Sequence, residues 1–65
     1  MELDRVALTA AVLTDGGHAI PAGTEGTVVG VWRDGAAYEV EFAHPAGALA
    51  TVEAGHLRRV ESSQP

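Results

Sequence analysis

The pair Asp34-Gly35 constrains this chain more than any other feature, because it lies between two runs that both read as strands. Asp-Gly supplies the left-handed backbone angles that a two-residue hairpin turn demands. Residues 24–32 before it concentrate Thr27, Val28, Val29, Val31 and Trp32, β-branched and aromatic side chains that favour a strand. Residues 36–42 after it alternate Ala37, Glu39 and Glu41 with Tyr38, Val40 and Phe42, the period-two pattern of a half-buried strand. With Asp34 and Gly35 as the loop, Arg33 faces Ala36, and Val31, Val29 and Thr27 fall opposite Tyr38, Val40 and Phe42. That face is the expected core. The other face pairs Trp32 with Ala37, Gly30 with Glu39 and Val28 with Glu41, which keeps the carboxylates in water and turns Trp32 outward.

The rest of the chain supplies further short strands around this hairpin. Residues 3–8 put Val6 and Leu8 on one side and Arg5 and Ala7 on the other. Residues 9–23 collect Asp15, Gly16, Gly17, Pro21 and Gly23, so a long excursion is expected there, pinned to the core by Ile20. His44, Pro45 and Gly47 mark a turn, residues 48–53 alternate as a strand, and residues 54–57 have the length of a single 3₁₀ turn. A short closing strand carrying Arg58 and Arg59 then ends at Val60. At 65 residues without cysteine, the chain has room for one thin core and no disulfide to brace it. The expectation is a single domain over residues 1–61, a flexible tail over 62–65, and stability supplemented by a partner or by self-association. The element order predicts an all-β fold, a small five-stranded SH3-like barrel with one short 3₁₀ turn before the last strand.

Leu3-Asp4-Arg5-Val6, the stretch from Pro21 to Val29, Ala37-Tyr38-Glu39-Val40-Glu41-Phe42 and the ending Leu57-Arg58 resemble the bacterial family known as domain of unknown function 4926. The resemblance spans nearly the whole chain. It implies a small stand-alone SH3-like barrel with no catalytic residues to carry over, and it suggests a companion of another small protein, as antitoxins and accessory subunits are. Pro21-Ala22-Gly23-Thr24-Glu25-Gly26-Thr27-Val28 also looks like the glycine-containing entry to a translation-type barrel, a class that often binds RNA. That alternative would rely on Arg33, Arg58 and Arg59.

Charge weighs against it. Asp and Glu number 9 against 4 Lys and Arg, all of them arginine, for a formal net charge of -5, and phosphate backbones are bound through cations that release counterions. His18, His44 and His56 form no close pair with the spacing of a zinc site, so no metal or other cofactor is expected. The only serines, Ser62 and Ser63, sit in the tail without a base beside them, so the chain reads as no enzyme. No apolar run approaches a membrane span, and Glu2, Asp4 and Arg5 interrupt any leader, which predicts a cytoplasmic protein. Recognition is what remains: an acidic, protein-binding face made by Trp32, Val28, Glu39 and Glu41, with an aromatic anchor of the type found at binding hot spots. A non-catalytic interaction module of the accessory or antitoxin type is the expected function, with a homo-oligomer-forming barrel as its structural rival.

Overall fold

The computed structural model describes residues 5–60. Seven strands form two sheets: β1 (Arg5–Leu8), β2 (Val12–Leu13), β3 (Ala19–Ile20), β4 (Glu25–Trp32), β5 (Ala37–Phe42), β6 (Ala48–Glu53) and β7 (Leu57–Arg59). The main sheet is 5-stranded in the order β6-β5-β4-β1-β7, and β2 pairs with β3 as a separate ribbon. All pairings are antiparallel. The main sheet is open between β6 and β7, so it is not a closed five-stranded barrel. Among the described residues there is no α-helix, and none long and apolar enough to cross a membrane.

Local chemistry accounts for most of these elements. The hairpin turns at Asp34-Gly35 as its sequence predicts: Ala36 N–H donates to the Arg33 carbonyl at 3.2 Å, and Asp34 and Gly35 have φ of 57° and 99°. Positive φ at both central residues gives the turn the twist of its flanking strands. The expected 3₁₀ turn stands at Ala54–His56, directly before β7. The long excursion does more than wander. Val12 pairs with Ile20 and Leu13 with Ala19, and buried Thr14 closes the intervening turn, its Oγ1 accepting from His18 N–H at 3.0 Å. Ile20 enters the core, as expected of the residue that pins this segment.

One cluster holds the molecule together: Val6, Leu8, Ile20, Val28, Val40, Phe42, Ala50 and Val52 are buried against one another. Val28 was expected on the outer face and lies instead in this core, 2% exposed. The cause is a β-bulge. From the turn, the register follows expectation through Trp32–Ala37, Val31–Tyr38 and Gly30–Glu39, then shifts, so that Val28 faces Val40 and Thr27 faces Glu41. Val29 is the extra residue. A bulge increases local twist, and that added coil turns the near end of β4 toward β1 while Val28 takes the inward position assigned to Val29. Gly26 moves inward with it, close beneath Val40 and Phe42.

Two smaller corrections have the same geometric character. Val31, expected in the core opposite Tyr38, keeps that partner but remains 44% exposed, because among the described residues β1 pairs with β4 only as far as Thr27 and leaves this end of the strand as an edge. Ala7, expected on the open face, is 0% exposed. It lies directly between Glu25 and Arg58 across the sheet, and directly opposed residues share a face, so two long side chains flank one methyl group.

Candidate functional site

Antiparallel register defines the outer face of the hairpin residue by residue. Glu53, Ala37 and Trp32 form one row across β6, β5 and β4; Thr51, Glu39 and Gly30 form the next; Leu49, Glu41 and Thr27 the third. Because opposed side chains point the same way, Trp32, Glu39, Glu41 and Glu53 share one surface. Sequence reasoning brought Trp32, Glu39 and Glu41 together, and the fold does so too. Val28 is absent from this surface because the bulge turns it inward.

The indole is exposed but held. Trp32 Nε1 donates to Glu39 Oε1 at 3.3 Å, and Thr51 Oγ1 donates to the same oxygen at 3.0 Å. Gly30 lies beside Glu39 on this face, and a Cβ there would stand 3.3 Å from Glu39 Cβ, so its absence leaves room for the indole to lean across. Trp32 remains 53% exposed. Two donors converging on Oε1 fix the carboxylate, and the carboxylate in turn orients the ring.

Beside the indole is a slot of about 260 Å³ lined by Trp32, Arg33, Ala37, Thr51 and Glu53. Ala37, 8% exposed, is its floor. Trp32 and Glu53 face each other across that methyl, and Arg33 lies at the hairpin corner. Thr51 and Glu53 were not anticipated as part of this face. The alternation of residues 48–53 marks them as the outward set, yet only the β5–β6 register brings them opposite Glu39 and Ala37.

The arginines of the RNA alternative do not converge. Arg58 lies opposite Ala7, which lies opposite Glu25 at the start of β4, whereas Arg33 follows the strand's far end. β4 has 8 residues, and at about 3.3 Å per residue it separates them by roughly 25 Å. Arg5 is engaged on the same open face, with Nη2 2.9 Å from Glu25 Oε1. Arg59 sits in β7, opposite Val6. His18 borders a hollow with Asp15 and Leu49, while His56 belongs to the 3₁₀ turn and His44 to the β5–β6 connection. No three His, Asp or Glu of the described residues gather in a metal-binding group.

No curated protein and no solved structure matches the chain. Residues 2–58, which contain β1 through most of β7, match the family described as domain of unknown function DUF4926, and the chain belongs to that family.

Proposed function

We propose that this chain is an SH3-like barrel in the broad sense, and that it works as a non-catalytic, acidic protein-interaction module. The strand order β7-β1-β4-β5-β6, the ribbon-bearing first loop and the 3₁₀ turn before the last strand support the fold reading. The observation that carries the function is Trp32, a large apolar side chain half in water yet held by Glu39 and, through it, Thr51. An aromatic ring oriented before binding loses less conformational freedom in a complex than a mobile one, and tryptophan is enriched among residues that dominate interfaces. The surrounding carboxylates favour approach of a basic partner, whose association they accelerate by long-range attraction. An accessory or antitoxin-type subunit in the cytoplasm fits this chemistry, since masking a basic functional surface requires an acidic complement.

The test is capture of partners from the native host with tagged wild-type protein beside Trp32→Ala, with light scattering of each eluate. A stoichiometric partner held by wild type and lost with Trp32→Ala, while the variant keeps its circular dichroism spectrum, is the expected result. Equal capture by both proteins removes the hairpin face from consideration. One observation favours self-association as the second reading: Val29, Val31 and Trp32 are all exposed within a few residues of one strand. A dimer in light scattering that Val31→Asp dissolves is its signature.

A further inference from the structure

Resting on the reading of this face as a protein-binding surface, we infer that the slot beside Trp32 receives a cationic side chain, arginine above all, from a basic segment of the partner. The walls select for it. On one side stands the indole, on the other the Glu53 carboxylate, with the Ala37 methyl between them as floor and Thr51 on the β6 side. Adjacent strands lie about 4.8 Å apart, so the backbones bearing Trp32 and Glu53 are separated by roughly 10 Å across β5. A planar group stacked on the indole fits that interval and meets the carboxylate at its edge.

Each other class of side chain leaves something unsatisfied. An aliphatic side chain would cover the indole but take water from Glu53 without replacing its hydrogen bonds. A carboxylate or phosphate would meet Glu53, Glu39 and Glu41 on a chain of net charge -5. A guanidinium satisfies both walls, because it stacks on aromatic faces and donates in plane to carboxylates; the compact ammonium of lysine does the second and only part of the first. The bonds from Trp32 and Thr51 both fall on Glu39 Oε1, so a donor arriving from solvent meets the other side of that carboxylate.

Arg33 gives the inference its sharpest consequence. It lines the slot and has a φ of 52°, a left-handed conformation that non-glycine residues rarely adopt. It is the one cationic residue among those that line the slot, so it repels and competes with an incoming cation. Arg33 is thus a competitor for the slot rather than a contact for the partner, and its removal strengthens binding of a cation.

Trp32 is the chain's single tryptophan, so its fluorescence reads the slot directly. The probe is a blocked hexapeptide, acetyl-Gly-Ser-Arg-Gly-Arg-Ser-amide, compared with its lysine and glutamate counterparts and with oligouridylate. A saturable change with the arginine peptide, a weaker one with lysine and none with glutamate or oligouridylate is expected. Glu53→Gln should weaken the arginine peptide about three- to five-fold, the range of a partly exposed ion pair, and Arg33→Ala should tighten it. Thr51→Ala, which loosens the support of Glu39, should weaken it by a smaller factor. No saturable response, an unchanged affinity in Glu53→Gln, weaker binding in Arg33→Ala, or an equal response to oligouridylate each overturns the inference. Competition against the captured partner separates the two levels: capture that depends on Trp32 but ignores both the arginine peptide and Glu53→Gln sinks the cation slot and leaves the module standing. Saturable, Glu53-dependent peptide binding with no Trp32-dependent partner upholds the slot and sinks the module.

Discussion

Residues 25–28 and residues 29–32 belong to one strand, β4, and do opposite things with the same kind of side chain. In the first half, β4 lies between β1 and β5, and Val28 and Gly26 are buried. In the second half, β1 pairs no further than Thr27 among the described residues, and Val29, Val31 and Trp32 are exposed. The boundary is the bulge at Val29. Valine on either side of it has the same intrinsic strand preference, so the difference comes from coverage: β1 and the core cluster close over one half, and the other projects as a hairpin arm with β5 and β6. A strand's burial pattern is therefore a property of its neighbours, and a single extra residue can divide a packed half from an exposed half.

The largest expected break in that comparison is at Gly26. A Cβ there would lie 2.7 Å from Val40 Cγ1, 2.9 Å from the Glu41 carbonyl oxygen and 3.0 Å from Phe42 Cδ1. Two of these are core side chains and the third is backbone, so no flexible tip can yield. Gly26→Ala should lower stability by about 3 kcal/mol, the upper range of overpacking effects. That is comparable to the whole stability available to a core this small, about 3–5 kcal/mol, and urea unfolding should find much of the variant unfolded. Gly55→Ala is the control, since a Cβ at Gly55 meets nothing within 4 Å; its midpoint should barely move. A native-like Gly26→Ala would mean that the inward turn of the first half is not held by close contact.

A matched pair sharpens the comparison further. Val28→Ala and Val31→Ala delete the same atoms from the same strand, on opposite sides of the bulge. The first, 2% exposed, should cost about 2 kcal/mol in lost transfer energy and residual cavity. The second, 44% exposed, should stay within about 0.5 kcal/mol. Chemical denaturation of both variants checks this, and a larger loss at Val31 than at Val28 would restore the unbroken alternation that the sequence suggests.

What could be read in advance, and what could not, divides along the same line. The Asp34-Gly35 turn, the outward placement of Glu39 and Glu41, the strand over residues 48–53 and the 3₁₀ turn were legible because each depends on a few adjacent residues. The bulge was not. A regular register also kept both glutamates in water, so the carboxylates could not discriminate between Val28 and Val29; only packing against Val40 and Phe42 does. A sign was nonetheless present, since Gly26 and Gly30 interrupt a β-branched run, and glycine within a strand marks a bulge or a close backbone approach. The slot was half legible for a related reason. Trp32 and Glu39 meet through the local hairpin, whereas Glu53 and Thr51 reach them only through β5–β6 pairing, and Ala7 shows the same dependence on long-range neighbours.

A small effect is expected at the tip of the arm, and it is a gain. Arg33 and Asp34 both have left-handed φ, 52° and 57°. Aspartate tolerates that region through local hydrogen bonding, whereas arginine has no such compensation. Arg33→Gly removes the clash between Cβ and backbone, worth about 1–2 kcal/mol, and offsets part of that by loosening the unfolded chain, about 0.4–1 kcal/mol. A net stabilisation of about 0.5–1 kcal/mol follows, visible as a small rise in the urea midpoint with an unchanged slope. The arm would then tolerate at its tip a strain that its packed counterpart has no occasion to bear. If Arg33→Gly instead destabilises, the guanidinium contributes packing against Trp32 or Glu53 that outweighs its backbone strain. The slot would then already be filled by the chain's own arginine, and the same variant's affinity for the arginine peptide would show how firmly.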